Sequence, residues 1–160
     1  MNPVSGEHHS TFERSVAVEG SVERTFDAIS TVDGVRGWWA TDVTGRAVVG
    51  DVMRLGFSLP NHDEWIVMRV DESTRPTVVR WTCVAQYVAP AGVSKHDEWV
   101  GTEVRFTLEP QAADRCNLVF THAGLAPSLE CYSVCANGWD HFLASLVAFV
   151  RDGAGTPFGR

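Results

Sequence analysis

The stretch SLECYSVCANGWDHFLASLVAFVRD, Ser128 to Asp152, decides the fold. Tyr132, Cys135, Trp139, Phe142, Leu146 and Phe149 recur at intervals of three and four, and Leu143, Val147 and Val150 widen the stripe. That spacing puts apolar side chains on one side of a helix and predicts a long amphipathic helix over roughly Ser128–Asp152. Gly153 stands where a left-handed C-terminal cap belongs, and Arg151 lies in the last turn, where a cation suits the helix dipole. A helix of about 24 residues is a rod of roughly 36 Å. Strands of ordinary length span only about 20–30 Å. A rod that long must lie across a sheet, and the sheet must curl to cover its stripe.

The preceding residues supply that sheet. Val100 to Leu108 alternates apolar with polar, as does Arg115 to His122, where Cys116, Leu118, Phe120 and His122 share a face. Asp51 to Leu59 places Met53, Leu55, Phe57 and Leu59 together, Glu64 to Val70 is nearly continuous in apolar character, and a strand opening at Arg75-Pro76 aligns Val79, Trp81 and Cys83. Alternation of this kind belongs to antiparallel sheets with one wet face and one buried face. Pro60-Asn61-His62-Asp63 and Ala89-Pro90-Ala91-Gly92 mark the connections. Further back, Thr11 to Val18 reads as a strand. Ser21 caps a short helix carrying Val22, Phe26 and Ile29, and Asp33 to Trp39 forms a second short helix. The predicted class is α+β: a curved antiparallel sheet of six to seven strands around a C-terminal helix, with two short helices after the first strand. Residues 1–10 are expected to be a flexible N-terminus, 11–153 the domain, and 154–160 a flexible C-terminal tail on which Phe158 folds back to the sheet.

With 160 residues, the chain has room for one domain and a proper core. Its net charge is −7, from 13 basic and 20 acidic residues, which argues against duplex nucleic acid and anionic lipid surfaces as partners. No apolar run approaches the ~20 residues of a membrane span, and MNPVSGEHHS lacks the basic start and apolar core of a secretory signal. The expected location is the cytoplasm, where Cys83, Cys116, Cys131 and Cys135 stay reduced. Cys131 and Cys135 have no matching Cys/His pair at zinc-site spacing, and they read as buried thiols rather than a metal or redox pair. His62-Asp63-Glu64 and His96-Asp97-Glu98 read as solvated turns, because neighbours on an extended chain point to opposite sides. No metal or other cofactor is expected. There is no G-x-S-x-G elbow, no P-loop and no G-x-G-x-x-G.

The order of elements resembles the START-like, or SRPBCC, superfamily with its helix-grip fold. Within it, the chain resembles homologues of the C-terminal domain of the heat-shock-protein-90 ATPase activator, in a bacterial single-domain form. The resemblance rests on SVERTFDAIS, on Gly37-Trp38-Trp39, on EWVGTEVRFTLEP and THAGL, and on Gly138-Trp139 with HFLASLVAFVRDGAGTPF, in that order. It implies a fold and a cavity more firmly than an activity: superfamily members bind lipids, hormones or polyketides, and some are cyclases, aromatases or hydrolases. The chaperone-activating role belongs to longer proteins with an additional domain and is not carried over.

A sheet gripping a helix leaves space between them, and that space is apolar with few polar groups. The candidate ligand-binding residues are those on the facing surfaces: Trp39, Phe57, Met68, Trp81, Cys83, Phe106, His122, Cys135, Trp139 and Phe142. Six tryptophans in the chain suit a flat or aromatic ligand as well as a packed core. His122 is the weak catalytic candidate, as acid or base at the end of its strand. Three readings follow. The first is a protein binding a hydrophobic small molecule. The second is a cyclase-, aromatase- or hydrolase-like enzyme using His122. The third is an interaction or chaperone-cofactor module. A homodimer is compatible with all three.

Overall fold

Inward and outward side chains alternate along the strands, and the two short helices begin where a capping hydroxyl meets apolar residues. In the computed structural model, which describes residues 11–60 and 63–159, the order is β1 (Thr11–Val18), α1 (Val22–Ser30), α2 (Val32–Trp38), β2 (Asp42–Gly45), β3 (Val52–Gly56), β4 (Trp65–Thr74), β5 (Val78–Tyr87), β6 (Glu103–Ala112), β7 (Arg115–Ala123) and α3 (Tyr132–Asp152). Residues 1–10, whose flexibility was expected, lie outside the described residues, as do Asn61 and His62 of the predicted turn. The strands form one sheet in the order β1-β7-β6-β5-β4-β3-β2, with every neighbouring pair antiparallel. This is the α+β architecture read from the alternation, and the helix-grip arrangement that the resemblance implies. Among the described residues, no helix is long and apolar enough to cross a membrane.

Local chemistry sets the helix ends. Ser21 Oγ accepts from Arg24 N–H at 3.1 Å at the start of α1, and Thr31 Oγ1 accepts from Gly34 N–H at 2.9 Å at the start of α2. Gly153 closes α3 in the left-handed region, with φ 80° and its N–H on Phe149 O. α3 starts at Tyr132, four residues later than the periodicity predicts. The carboxylate of Glu98 accepts from the backbone N–H groups of Glu130 (3.1 Å) and Cys131 (2.9 Å), which holds the approach as turns. β6 likewise begins at Glu103 rather than Val100, because Thr102 N–H and Thr102 Oγ1 both bond Trp99 O and bend the chain.

One face of the sheet supplies the core, with Leu55, Met68, Val70, Trp81, Cys83, Phe106, Leu118 and Phe120 buried beneath Trp139, Leu143, Leu146 and Val150 of α3. The sheet is bent to fit. The β4–β5 register slips between Val67 and Met68, where Val84 is the extra residue, and again between Val70 and Glu72, where Asp71 is. Such bulges bend a strand and increase its twist. Asp71 puts its position to use: it accepts from Arg69 Nε at 2.8 Å and from the Thr82 hydroxyl, and these bonds with Arg80 nearby hold its carboxyl below the usual range against the opposing effect of burial. Gly37 allows α2 to meet α3, since a Cβ there would sit 2.3 Å from the Phe149 ring.

Residues after α3 do not form the flexible tail expected of them. Phe158 N–H bonds Trp39 O and Thr41 N–H bonds Phe158 O, both at 2.9 Å, while Thr156 N–H bonds Ser145 Oγ at 2.7 Å. Ser145 in turn donates to Trp38 O at 2.8 Å. The Phe158 ring lies 5.4 Å from Phe57, so it does return to the sheet region.

Candidate functional site

The middle of the seam between sheet and helix is filled with indoles. Trp39 stacks on Trp38 (5.7 Å between centroids) and on Trp81 (5.8 Å), and it tilts against Trp139 at 5.0 Å. Trp81 meets Phe106 edge-on at 5.0 Å. Trp139 stacks on Trp99 at 5.6 Å and packs on Phe120 at 4.4 Å. These offset and edge-to-face contacts are the favoured aromatic geometries.

Beside this block, between the N-terminal half of α3 and the β3–β5 end of the sheet, lies a pocket of about 240 Å³. Trp39, Phe57, Trp99, Trp139, Phe142 and Phe158 form its aromatic walls. Leu59, Ile66, Val88, Pro90 and Val134 add aliphatic surface, and Gly138 leaves a gap in the helix wall. The polar and sulfur-bearing residues in its lining are Glu64, Gln86, Cys131 and Cys135. Gln86 is already engaged, its Oε1 accepting from Trp99 N–H at 2.9 Å.

Five of the ten candidate residues therefore line the pocket: Trp39, Phe57, Cys135, Trp139 and Phe142. Met68, Trp81, Cys83, Phe106 and His122 do not reach it; all five are fully buried in the core behind the indoles. Sequence reasoning missed Trp99, Gln86 and Phe158. Trp99 and Phe158 come from segments without periodicity. Gln86 faces inward because the bulge at Val84 shifts the alternation of β5 by one.

His122 is enclosed by protein. Trp139 Nε1–H donates to its Nδ1 at 3.0 Å. Nε2 therefore carries the proton in the neutral ring and donates to Thr102 Oγ1 at 2.8 Å, and that hydroxyl donates onward to Trp99 O at 2.6 Å. Both ring nitrogens are occupied, and the Trp99 ring covers the imidazole edge-on at 4.6 Å. Burial pushes its pKa down to about 3, so it is neutral across the physiological range.

Of the two clusters set aside as turns, His96-Asp97-Glu98 has other partners. His62 lies outside the described residues; Glu98 holds the approach to α3, and the His96 ring packs 4.9 Å from Tyr87. Among the described residues, no three His, Cys, Asp or Glu side chains come together as a metal site.

The family model described as Activator of Hsp90 ATPase homolog 1-like protein matches residues 19–151. No curated protein matches the chain. Among solved structures, the chain is similar to the solution structure of the Aha1 dimer from Colwellia psychrerythraea, at 25% identity and a TM-score of 0.69, covering 91% of this chain and 98% of that one. It is similar in fold to protein SSP2350 from Staphylococcus saprophyticus (14% identity, TM-score 0.68, 91% and 95% covered) and to CalU16 from Micromonospora echinospora (16%, 0.64, 91% and 69%).

Proposed function

The chain belongs to the Activator of Hsp90 ATPase homolog 1-like family, and from that premise we propose that it binds a small hydrophobic molecule, aromatic by preference, in the pocket between sheet and α3. The observation that carries this reading is the pocket itself: about 240 Å³, with six aromatic walls in a mostly apolar lining. An apolar cavity of about 150 Å³ already accepts benzene, so the space suits one or two fused rings rather than a steroid or a long acyl chain. The enclosure of His122 favours binding over acid–base chemistry, since neither ring nitrogen is open to a substrate. We place the protein in the cytoplasm. We also propose a homodimer, on the similarity to a structure described as a dimer.

Trp39, Trp99 and Trp139 report occupancy directly, because all three indoles line the pocket. Titration with indole, naphthalene and short aromatic acids is expected to quench tryptophan fluorescence. A binder at 100 times its Kd adds about 2.7 kcal/mol of stability, readable as a rise in melting temperature. A panel of such compounds that moves neither fluorescence nor melting temperature removes this reading. Light scattering after size exclusion measures the mass, and a monomer at all concentrations removes the dimer.

A further inference from the structure

Cys131 and Cys135 stand one helical turn apart at the start of α3, and the sequence alone offered no use for them. Their Sγ atoms lie 2.9 Å apart. Both side chains line the pocket, with Cys131 buried and Cys135 half-buried. The indole Nε1–H of Trp99 donates to Cys135 Sγ at 3.2 Å. A disulfide needs a sulfur separation of about 2.05 Å, so the two sulfurs must still close on each other. Helix neighbours one turn apart hold their Cβ atoms about 5–6 Å apart, wider than the roughly 3.5–4.5 Å of a disulfide, so closure also requires Cys131, at the N-cap of α3, to shift toward Cys135.

We propose that Cys131 and Cys135 form a redox-active dithiol in the pocket wall that reacts with small hydroperoxides. Cys135 is the attacking sulfur and Cys131 the resolving one. The Cys135 thiolate attacks the outer oxygen of the hydroperoxide. The O–O bond breaks, an alkoxide (or hydroxide) leaves and takes a proton, and Cys135 becomes a sulfenic acid. Cys131 sulfur then attacks the Cys135 sulfur, the S–O bond breaks, and water leaves with the Cys131 thiol proton. The sum is two thiols and one hydroperoxide giving one disulfide, one alcohol (or water) and one water.

The surroundings support these roles. The Cys131 thiol and, after it, the Trp99 indole N–H lower the Cys135 pKa, against burial and the Glu98 carboxylate, which raise it. Cys131 is held protonated by the hydrogen bond to Cys135, by burial and by the nearby Glu98 carboxylate. Burial pushes the Cys83 thiol up to about 12, which makes it the inert comparison within the same chain. The pocket brings a small oxidant to the sulfur, and an apolar wall suits an organic hydroperoxide as well as hydrogen peroxide. A transient disulfide of this kind is the form expected in a reducing compartment.

The full chain, reduced and freed of reductant, is treated with hydrogen peroxide or cumene hydroperoxide. Thiols are then counted in denaturant and the peptides mapped by mass spectrometry. Two thiols are expected to disappear together in an intrachain Cys131–Cys135 link, with Cys83 and Cys116 still free. In Cys131→Ser, the reaction should stop at a sulfenic acid on Cys135 that dimedone traps. In Cys135→Ser, peroxide consumption should fall on the order of tenfold or more, as expected for loss of the thiolate. Oxidation spread evenly over the four thiols, a link between chains, or no Cys131–Cys135 link in the unmodified protein overturns the proposal. The unmodified chain decides the matter if either variant misfolds. Hydrogen peroxide needs no organic ligand in the pocket, so in that arm failure of the ligand panel and failure of the dithiol are read separately.

Discussion

Two stretches of the same seam differ in what fills them. Around Trp38 and Trp81, the sheet and helices close completely, and both indoles are 0% exposed. Around Phe57, Val134, Cys135 and Phe142, similar apolar chemistry leaves a pocket of about 240 Å³. Composition does not distinguish the two. The difference lies in the α3 side chains that face each stretch. Trp139 is large enough to reach Trp39 and Trp99, whereas Gly138, one residue earlier, has no side chain, and a Cβ built there meets nothing within 4 Å. A cavity in this fold is therefore a local deficit of side-chain volume, not a general property of a sheet curled round a helix.

The largest test of that contrast is Trp81→Ala in the closed stretch. Removing a fully buried indole should cost about 3–5 kcal/mol, measured by urea unfolding, because Trp39 stacked on it and Phe106 packed edge-on cannot collapse into the space. A loss below 1 kcal/mol would mean that the closed stretch is as slack as the open one.

A second test uses His122, sealed behind the indoles. Its folded pKa is depressed to about 3 from 6.5. The unfolded chain therefore binds the extra proton between those values, and stability should fall as pH drops below about 6.5. At pH 5 this contribution is about 2 kcal/mol relative to its value well above pH 6.5. His122→Gln should flatten that part of the pH dependence, as urea unfolding at pH 7 and pH 5 would show. An unchanged slope in the variant would place His122 in contact with water.

The smallest effect has the opposite sign. Gly138→Ala adds a methyl group to empty space within a helix and should raise stability by about 0.5–1 kcal/mol. Gly138→Leu should fill the pocket wall and abolish fluorescence quenching by small aromatics while the fold melts cooperatively. Destabilisation by the alanine would mean that the gap is already filled by a neighbour.

These contrasts also separate what could be read from the chain from what could not. Periodicity assigned the core face of α3, and alternation assigned the inward face of β6 and β7. Neither measures depth. Phe57 and Met68 both read as inward-facing; Phe57 lies at the open end and Met68 is wholly enclosed, because their distances from the sheet's end differ. Parity misplaced Gln86, since one bulged residue, Val84, reverses the alternation beyond it. The thiols expected to be ordinary at Cys131 and Cys135 lie 2.9 Å apart, with Cys131 N–H bonded to Glu98.

The sequence by itself determined which surfaces avoid water, because hydrophobic period and capping chemistry act over a few residues. It therefore determined the strands, the long helix and their order. Tertiary structure alone decided where the seam closes and where it stays open, which histidine nitrogen has a partner, and that the tail after α3 is tied down. Those outcomes depend on volumes and hydrogen bonds summed across residues far apart in the chain, which no local pattern records.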